Sequence, residues 1–216
     1  MKVGTDGVLL GAWTPTGTHI LDVGTGSGLI ARMLMQRCPE AEVEGIDIDE
    51  AAVEQARENG VRAFQARLQE WKRVESQESR VESQYDLIVS NPPYFQNSLK
   101  NPDEGRKTAR HTDTLSFTEL VKHSARLLKE DGQLAVILPA EAEAEFRQLA
   151  AAEGLYLTHA TRVYSKENKP ARRVMMAFSR DTGITGYRFT EDVLVLEDEK
   201  GGRSAAYSEL CREFYL

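Results

Sequence analysis

The sequence predicts an open α/β fold, a mostly parallel and doubly wound sheet with helices on both faces. Three observations carry this. Short apolar runs alternate with amphipathic stretches, a glycine-rich turn joins the first strand to the next helix, and only near the end do two strands follow each other directly. That last pair implies one antiparallel strand at the end of an otherwise parallel sheet. A length of 216 residues at 24.2 kDa suits one domain with an appendage.

The first strand is read at residues 18–23, followed by Gly24-Thr25-Gly26-Ser27-Gly28 and a helix carrying Leu29, Ile30, Met33 and Leu34 at helical spacing. The pattern repeats with a strand at 43–47 and a helix capped by Asp49 that ends at Asn59-Gly60. A third strand is expected at 62–66. The fourth, 85–90, is a nearly continuous apolar run of the kind buried on both faces of a parallel sheet, and it stops at Asn91-Pro92-Pro93-Tyr94.

Ser116 and Glu119 form a capping box ahead of an amphipathic helix that Asp131-Gly132 should terminate. A fifth strand is expected at 133–138, and then a helix around Phe146 and Leu149 that stops at Gly154. Strands at 156–164 and 173–178, joined by a polar loop with Pro170, complete a seven-stranded sheet. The tail carries one more strand signal at 193–196, a turn at Gly201-Gly202, and apolar Leu210, Phe214 and Tyr215 expected to dock on the sheet.

The pentapeptide Arg-Val-Glu-Ser-Gln occurs at 73–77 and again at 80–84. One tandem copy without an apolar face cannot build a repeat fold, so this reads as a solvated surface segment. Cys38 and Cys211 stand far apart, and His19, His111, His123 and His159 make no pair at ligand spacing, so no disulfide and no metal site is expected. The chain lacks both an apolar run of membrane-spanning length and a signal-peptide stretch, which reads as a soluble, cytoplasmic protein.

The net charge of -7 argues at first against a nucleic-acid partner, but its distribution weakens that argument. Residues 40–58 hold eight acids against Arg57 alone, which is the whole imbalance. Residues 162–173 hold Arg162, Lys166, Lys169, Arg172 and Arg173 against Glu167, a basic stripe able to meet phosphate.

Chemistry enters at the glycine turn. A dinucleotide site wants G-x-G-x-x-G, whereas here Gly24, Gly26 and Gly28 follow a G-x-G-x-G spacing after Asp22, and the third required glycine position is Leu29. This spacing resembles motif I of class I S-adenosylmethionine-dependent methyltransferases. Asp47, ending the second strand, is placed to accept from ribose hydroxyls, with Ile48 beside it to pack on adenine.

Asn91-Pro92-Pro93-Tyr94 fits the same chemistry. Methylating an exocyclic amine is hard because its lone pair is delocalised into the ring. Two acceptors aimed at its two N–H bonds, Asn91 Oδ1 and the Pro92 carbonyl, would draw the nitrogen toward a pyramidal shape. Consecutive prolines hold the loop extended beforehand, and Tyr94 offers a ring on which a base can stack. Alone, Asn-Pro-Pro would read as a strand stop. Following a methyl-donor turn, it resembles motif IV of amino-group methyltransferases.

Residues 1–13, Asn91-Pro92-Pro93-Tyr94-Phe95, Ala109-Arg110-His111, Lys169-Pro170-Ala171-Arg172 and Phe214-Tyr215-Leu216 are similar to the bacterial tRNA1(Val) adenine-N6 methyltransferase family, which methylates the adenosine 3′ of the anticodon. The resemblance covers essentially the whole chain. It implies a Rossmann-like methyltransferase domain over 1–216, with a cofactor lid at 1–17, a core at 18–180 and a carboxyl-terminal extension at 181–216. In that family a further short segment normally precedes the part resembling residues 1–13, so the resemblance implies that Met1 is an internal methionine and that part of the cofactor lid is missing.

The resemblance also implies roles. S-adenosylmethionine, leaving as S-adenosylhomocysteine, would meet Thr5, Asp22, Gly24, Gly26, Gly28, Asp47, Ile48, Leu68 and Asn91. Asn91, Pro92, Pro93 and Tyr94 would be catalytic, and Arg106, Arg110, His111, Lys169, Arg172 and Arg173 would meet the anticodon arm of a tRNA. No protein partner is implied. One position departs: related enzymes carry an acid after the third strand to accept from the cofactor's adenine, and here Arg67 stands there, leaving Gln69, Glu70 or a backbone carbonyl to substitute. Glutamine methylation of a protein and a non-catalytic RNA-binding module are competing readings, beside DNA adenine methylation, whose enzymes usually add a target-recognition domain. The first normally carries a helical domain ahead of motif I, and an intact site argues against the second.

Overall fold

The computed structural model describes residues 4–72, 85–93, 115–180 and 189–214. The repeated pentapeptide, Tyr94, Arg106, Arg110, His111 and Tyr215 lie outside them. In chain order the elements are α1 (Thr5–Trp13), β1 (His19–Val23), α2 (Leu29–Arg37), β2 (Glu42–Asp47), α3 (Glu50–Glu58), β3 (Arg62–Gln65), β4 (Tyr85–Ser90), α4 (Phe117–Leu127), β5 (Leu128–Pro139), α5 (Glu143–Ala152), β6 (Tyr156–Tyr164), β7 (Ala171–Ser179), β8 (Thr190–Val195) and α6 (Ala205–Leu210).

The strands form one sheet in the order β3-β2-β1-β4-β5-β7-β6-β8. β7 runs against both β5 and β6, so the antiparallel strand sits inside the sheet, and every other pairing is parallel. An eighth strand extends the seven expected, because the tail segment at 190–195 pairs with β6 over six residues.

Alternation along the strands feeds two cores. In β4, Leu87 and Val89 pack in a layer built from α1, α2, α3 and α6, while Ile88 packs in a layer with α4 and α5, which Tyr85 joins at the irregular start of the strand. Complete burial of each such aliphatic side chain is worth roughly 1.5–3 kcal/mol. The expected caps form: Asp49 accepts from Ala51 N at 3.0 Å, and Ser116 with Glu119 closes a reciprocal capping box.

The expected end of α4 is corrected by the structure. The helix stops at Leu127 and β5 begins at once, carrying Asp131 and Gly132 inside the strand. Pairing with β4 jumps from Tyr85↔Leu128 to Leu87↔Gln133. A Cβ on Gly132 would lie 2.7 Å from the Tyr85 carbonyl oxygen, so the glycine permits close backbone approach at an irregularity.

Of the segment expected as a lid, residues 5–13 form α1, and Gly7 through Ala12 are buried on α2 and the sheet. Arg37 of α2 donates to the carbonyls of Gly11 (2.9 Å) and Thr14 (2.8 Å), satisfying the helix end. Trp13 Nε1 donates to Thr161 Oγ1 at 2.8 Å, and Asp6 pairs with Arg173 at 2.7 Å. α1 is therefore part of a core layer.

Candidate active site

Strands β1, β2, β3 and β4 end at one edge, and the strand order reverses between β1 and β4. Crevices at such a reversal are where open α/β sheets hold ligands. A cavity of about 390 Å³ opens there. Its wall comprises Val23 at the end of β1 with Gly24 and Gly26 of the turn, Ile46, Asp47 and Ile48 at β2, Ala66 to Gln69 after β3, Ser90 at the end of β4 with Asn91 to Pro93 after it, Leu115 ahead of α4 and Glu119 in its first turn.

The glycine turn is fastened from two sides. Gly24 N and Thr25 N donate to the Ile46 carbonyl at 2.9 and 3.0 Å, and Gly26 N donates to Asp47 Oδ2 at 2.9 Å. Asp47 Oδ1 accepts from Asp49 N at 3.0 Å. A carboxylate has about four lone-pair sites, so Asp47 braces the turn and retains capacity to accept from a ligand hydroxyl.

Asp22 is fully buried and does not line the cavity. Its Oδ2 accepts from Thr25 Oγ1 at 2.7 Å and Ala31 N at 3.2 Å, while Oδ1 has no hydrogen-bond partner among the described residues. Burial pushes its carboxyl up to about 7, against the pull of those two hydrogen bonds and with Asp47 adding repulsion. Asp22 thus holds the turn from beneath.

Two other expected cofactor residues also lie off the cavity wall. Gly28 caps α2 at φ +80°, where a Cβ would sit 2.7 Å from Val61, so its glycine character serves the turn and its packing. Thr5 is exposed at the start of α1. Gly24, Gly26, Asp47, Ile48, Leu68 and Asn91 do line the cavity, and there Ile48 is 46% exposed, an apolar face left open to a ligand.

Asn91 is half-buried, Pro92 buried and Pro93 exposed, all on the cavity wall. Ser90 Oγ donates to the Val23 carbonyl at 2.8 Å and so ties the end of β4 to the start of the glycine turn. The wall after β3 is anchored by Trp71, whose Nε1 donates to Tyr85, and by Arg126, which donates to the Trp71 carbonyl at 3.2 Å. Ser90, Leu115 and the cavity-facing role of Glu119 escaped sequence reasoning. Only Glu119 had a visible signal, its place in the capping box.

The basic stripe divides. Arg162 pairs with Glu143 and Glu191, Lys166 with Glu197, and Arg173 with Asp6. Arg173, expected to meet the substrate, is engaged with Asp6 at the start of α1. Lys169 and Arg172 are exposed at the carboxyl end of β6 and the start of β7. Among the described residues no cluster of His, Cys, Asp or Glu is assembled that could hold a metal, and no helix is long and apolar enough to cross a membrane.

Residues 4–154 match the family model described as Methyltransferase small domain. Over its whole length the chain is 43% identical to a tRNA1(Val) (adenine(37)-N6)-methyltransferase of Bacteroides fragilis, covering 91% of it, and 38% identical to one of Yersinia pestis, covering 88%. Among solved structures, one described as a predicted O-methyltransferase from Agrobacterium tumefaciens aligns with a TM-score of 0.68 at 17% identity, covering 96% of each chain. A TehB-like SAM-dependent methyltransferase from Corynebacterium glutamicum aligns at 0.54 and 21%, over 83% of this chain and 89% of the other. At those identities the two structures speak to the fold.

Proposed function

The chain belongs to the tRNA1(Val) (adenine(37)-N6)-methyltransferase family, and from that premise we propose that it transfers a methyl group from S-adenosylmethionine to the N6 amine of the adenine 3′ of the anticodon, working on tRNA in the cytoplasm. One observation carries the reading: Asp47 with its braced glycine turn and Asn91-Pro92-Pro93 open onto the same cavity at the strand-order reversal.

The cavity fits the cofactor in chemistry. Asp47 supplies acceptors for ribose hydroxyls, Ile48 and Leu68 supply apolar faces for a planar base, and the turn's backbone stands close behind. When bound, S-adenosylmethionine supplies an electrophilic methyl group. The chain's own contribution is positioning. Asn91 Oδ1 and the Pro92 carbonyl each take one N–H of the target amine, which draws the nitrogen out of conjugation and points its lone pair toward the cavity. These acceptors also stabilise the positive charge that develops on nitrogen, and one proton then passes to water. No strong base is required. Ser90, bonded to Val23, holds these acceptors in register with the glycine turn. Lys169 and Arg172 are the described residues best placed to meet tRNA phosphates.

Asn91→Ala tests the mechanism. It should lower the rate of methyl transfer to tRNA by about 100-fold or more while changing the affinity for S-adenosylhomocysteine by less than about fivefold, since the loss falls on transition-state positioning. Unchanged turnover would refute the assigned role.

A further inference from the structure

We propose that Gln69, locked in one orientation by Glu119, reads the edge of the cofactor's adenine and makes this site select adenine over hypoxanthine. The inference rests on the cofactor reading above.

Gln69 Nε2 donates to Glu119 Oε1 at 2.9 Å, and both residues line the cavity. The other carboxylate oxygen, Oε2, accepts from Ser116 N at 3.0 Å and Ser116 Oγ at 2.8 Å, so the α4 capping box holds Glu119 in place. The hydrogen bond from Gln69, followed by those from Ser116, keeps the Glu119 carboxyl below its ordinary range and ionised.

An ionised carboxylate only accepts hydrogen bonds. An amide facing it must therefore turn its nitrogen, not its oxygen, toward Glu119. The reverse orientation would set the amide oxygen against a carboxylate oxygen at hydrogen-bonding distance. Glutamine is normally ambidextrous, able to present its donor and acceptor in either order, and here that freedom is removed. What remains for a ligand is Oε1 as an acceptor together with the second N–H of Nε2.

Adenine presents a 6-amino donor beside the N1 acceptor, the complement of a fixed amide. Hypoxanthine presents a 6-oxo acceptor beside an N1–H donor, which only the flipped amide would match. Other parts of the wall frame the same ligand. Ile48 and Leu68 offer apolar faces to a ring, and Asp47 lies at the sugar end. Arg67, two residues before Gln69 on the wall, carries only donors and cannot accept from an amino group. Gln69 is thus the contact residue, and Glu119 acts through it as a positioning residue.

Calorimetric titration of the full chain with S-adenosylhomocysteine and with S-inosylhomocysteine tests this. The wild-type protein should prefer the adenosyl compound by about 5- to 150-fold, the discrimination of a good bidentate base contact. Gln69→Leu should bring the ratio to within about twofold of unity, chiefly by weakening the adenosyl compound. Glu119→Gln retains a residue that suits the capping box but can donate as well as accept, so Gln69 becomes free to flip, inosyl binding improves and the ratio falls. A wild-type ratio of unity, or a full preference persisting in both variants, overturns the inference and leaves the cofactor reading intact. If the wild-type protein binds neither compound, both fail.

Discussion

The Trp71 indole donates its Nε1–H to the Tyr85 hydroxyl at 2.9 Å, and that hydroxyl donates in turn to Glu44 Oε2 at 2.8 Å. Glu44 is buried in β2 and also pairs with Arg62 of β3 at 3.3 Å. One tyrosine at the start of β4 thus joins β2 to the segment after β3 that walls the cavity.

Tyr85→Phe preserves the ring and removes the hydroxyl. It takes a hydrogen bond from a buried carboxylate and strips the Trp71 N–H of its acceptor. The loss should be about 2–3 kcal/mol in urea unfolding. A change below about 0.5 kcal/mol would show that this chain of bonds does not hold the wall.

Asp22 gives a pH signature. Its folded-state carboxyl is raised to about 7 by burial, against an ordinary value of 3.8. Below pH 4 it is protonated in folded and unfolded chains alike, and its contribution is fully present. Between about pH 4 and 7 only the folded chain keeps the proton, so that contribution declines as pH rises and is gone above about 7. Asp22→Asn cannot titrate. The stability of the wild-type protein minus that of Asp22→Asn should therefore fall steadily from pH 4 to 7 and then level off. A flat difference would mean that Asp22 does not carry the proton.

Lys169 and Arg172 make a prediction about RNA. Reversing both charges should weaken tRNA binding and lower the slope of log affinity against log salt by about 2, one for each lost phosphate contact. Arg173→Ala should act on α1 docking instead, because its partner is Asp6. An unchanged salt slope in the double reversal would exclude these side chains from phosphate contact.

Most of the fold was legible because its signals are local. The bounds of β4, the Asp49 cap and the Ser116–Glu119 box each follow from a few adjacent residues. What stayed hidden depends on distant partners. Asp131-Gly132 looks like a helix stop, yet pairing with β4 carries it into a strand where a glycine lets the Tyr85 carbonyl approach. Arg173 reads as one more charge in a basic run until the fold brings Asp6 to it, 167 positions away. In the site, the glycine turn, Asp47 and Asn91 were readable from spacing. The contact of Glu119 Oε1 was not, because its link to Gln69 spans 50 positions.

The proposed activity is transfer of one methyl group to one adenine. Its most direct test incubates the protein with S-adenosylmethionine and unmodified tRNA1(Val), and maps the product by mass spectrometry of nuclease fragments and nucleosides. A single added methyl is expected, recovered as N6-methyladenosine, in the fragment holding the adenosine 3′ of the anticodon. Methylation at another nucleotide, or none while the protein binds S-adenosylhomocysteine, would contradict it.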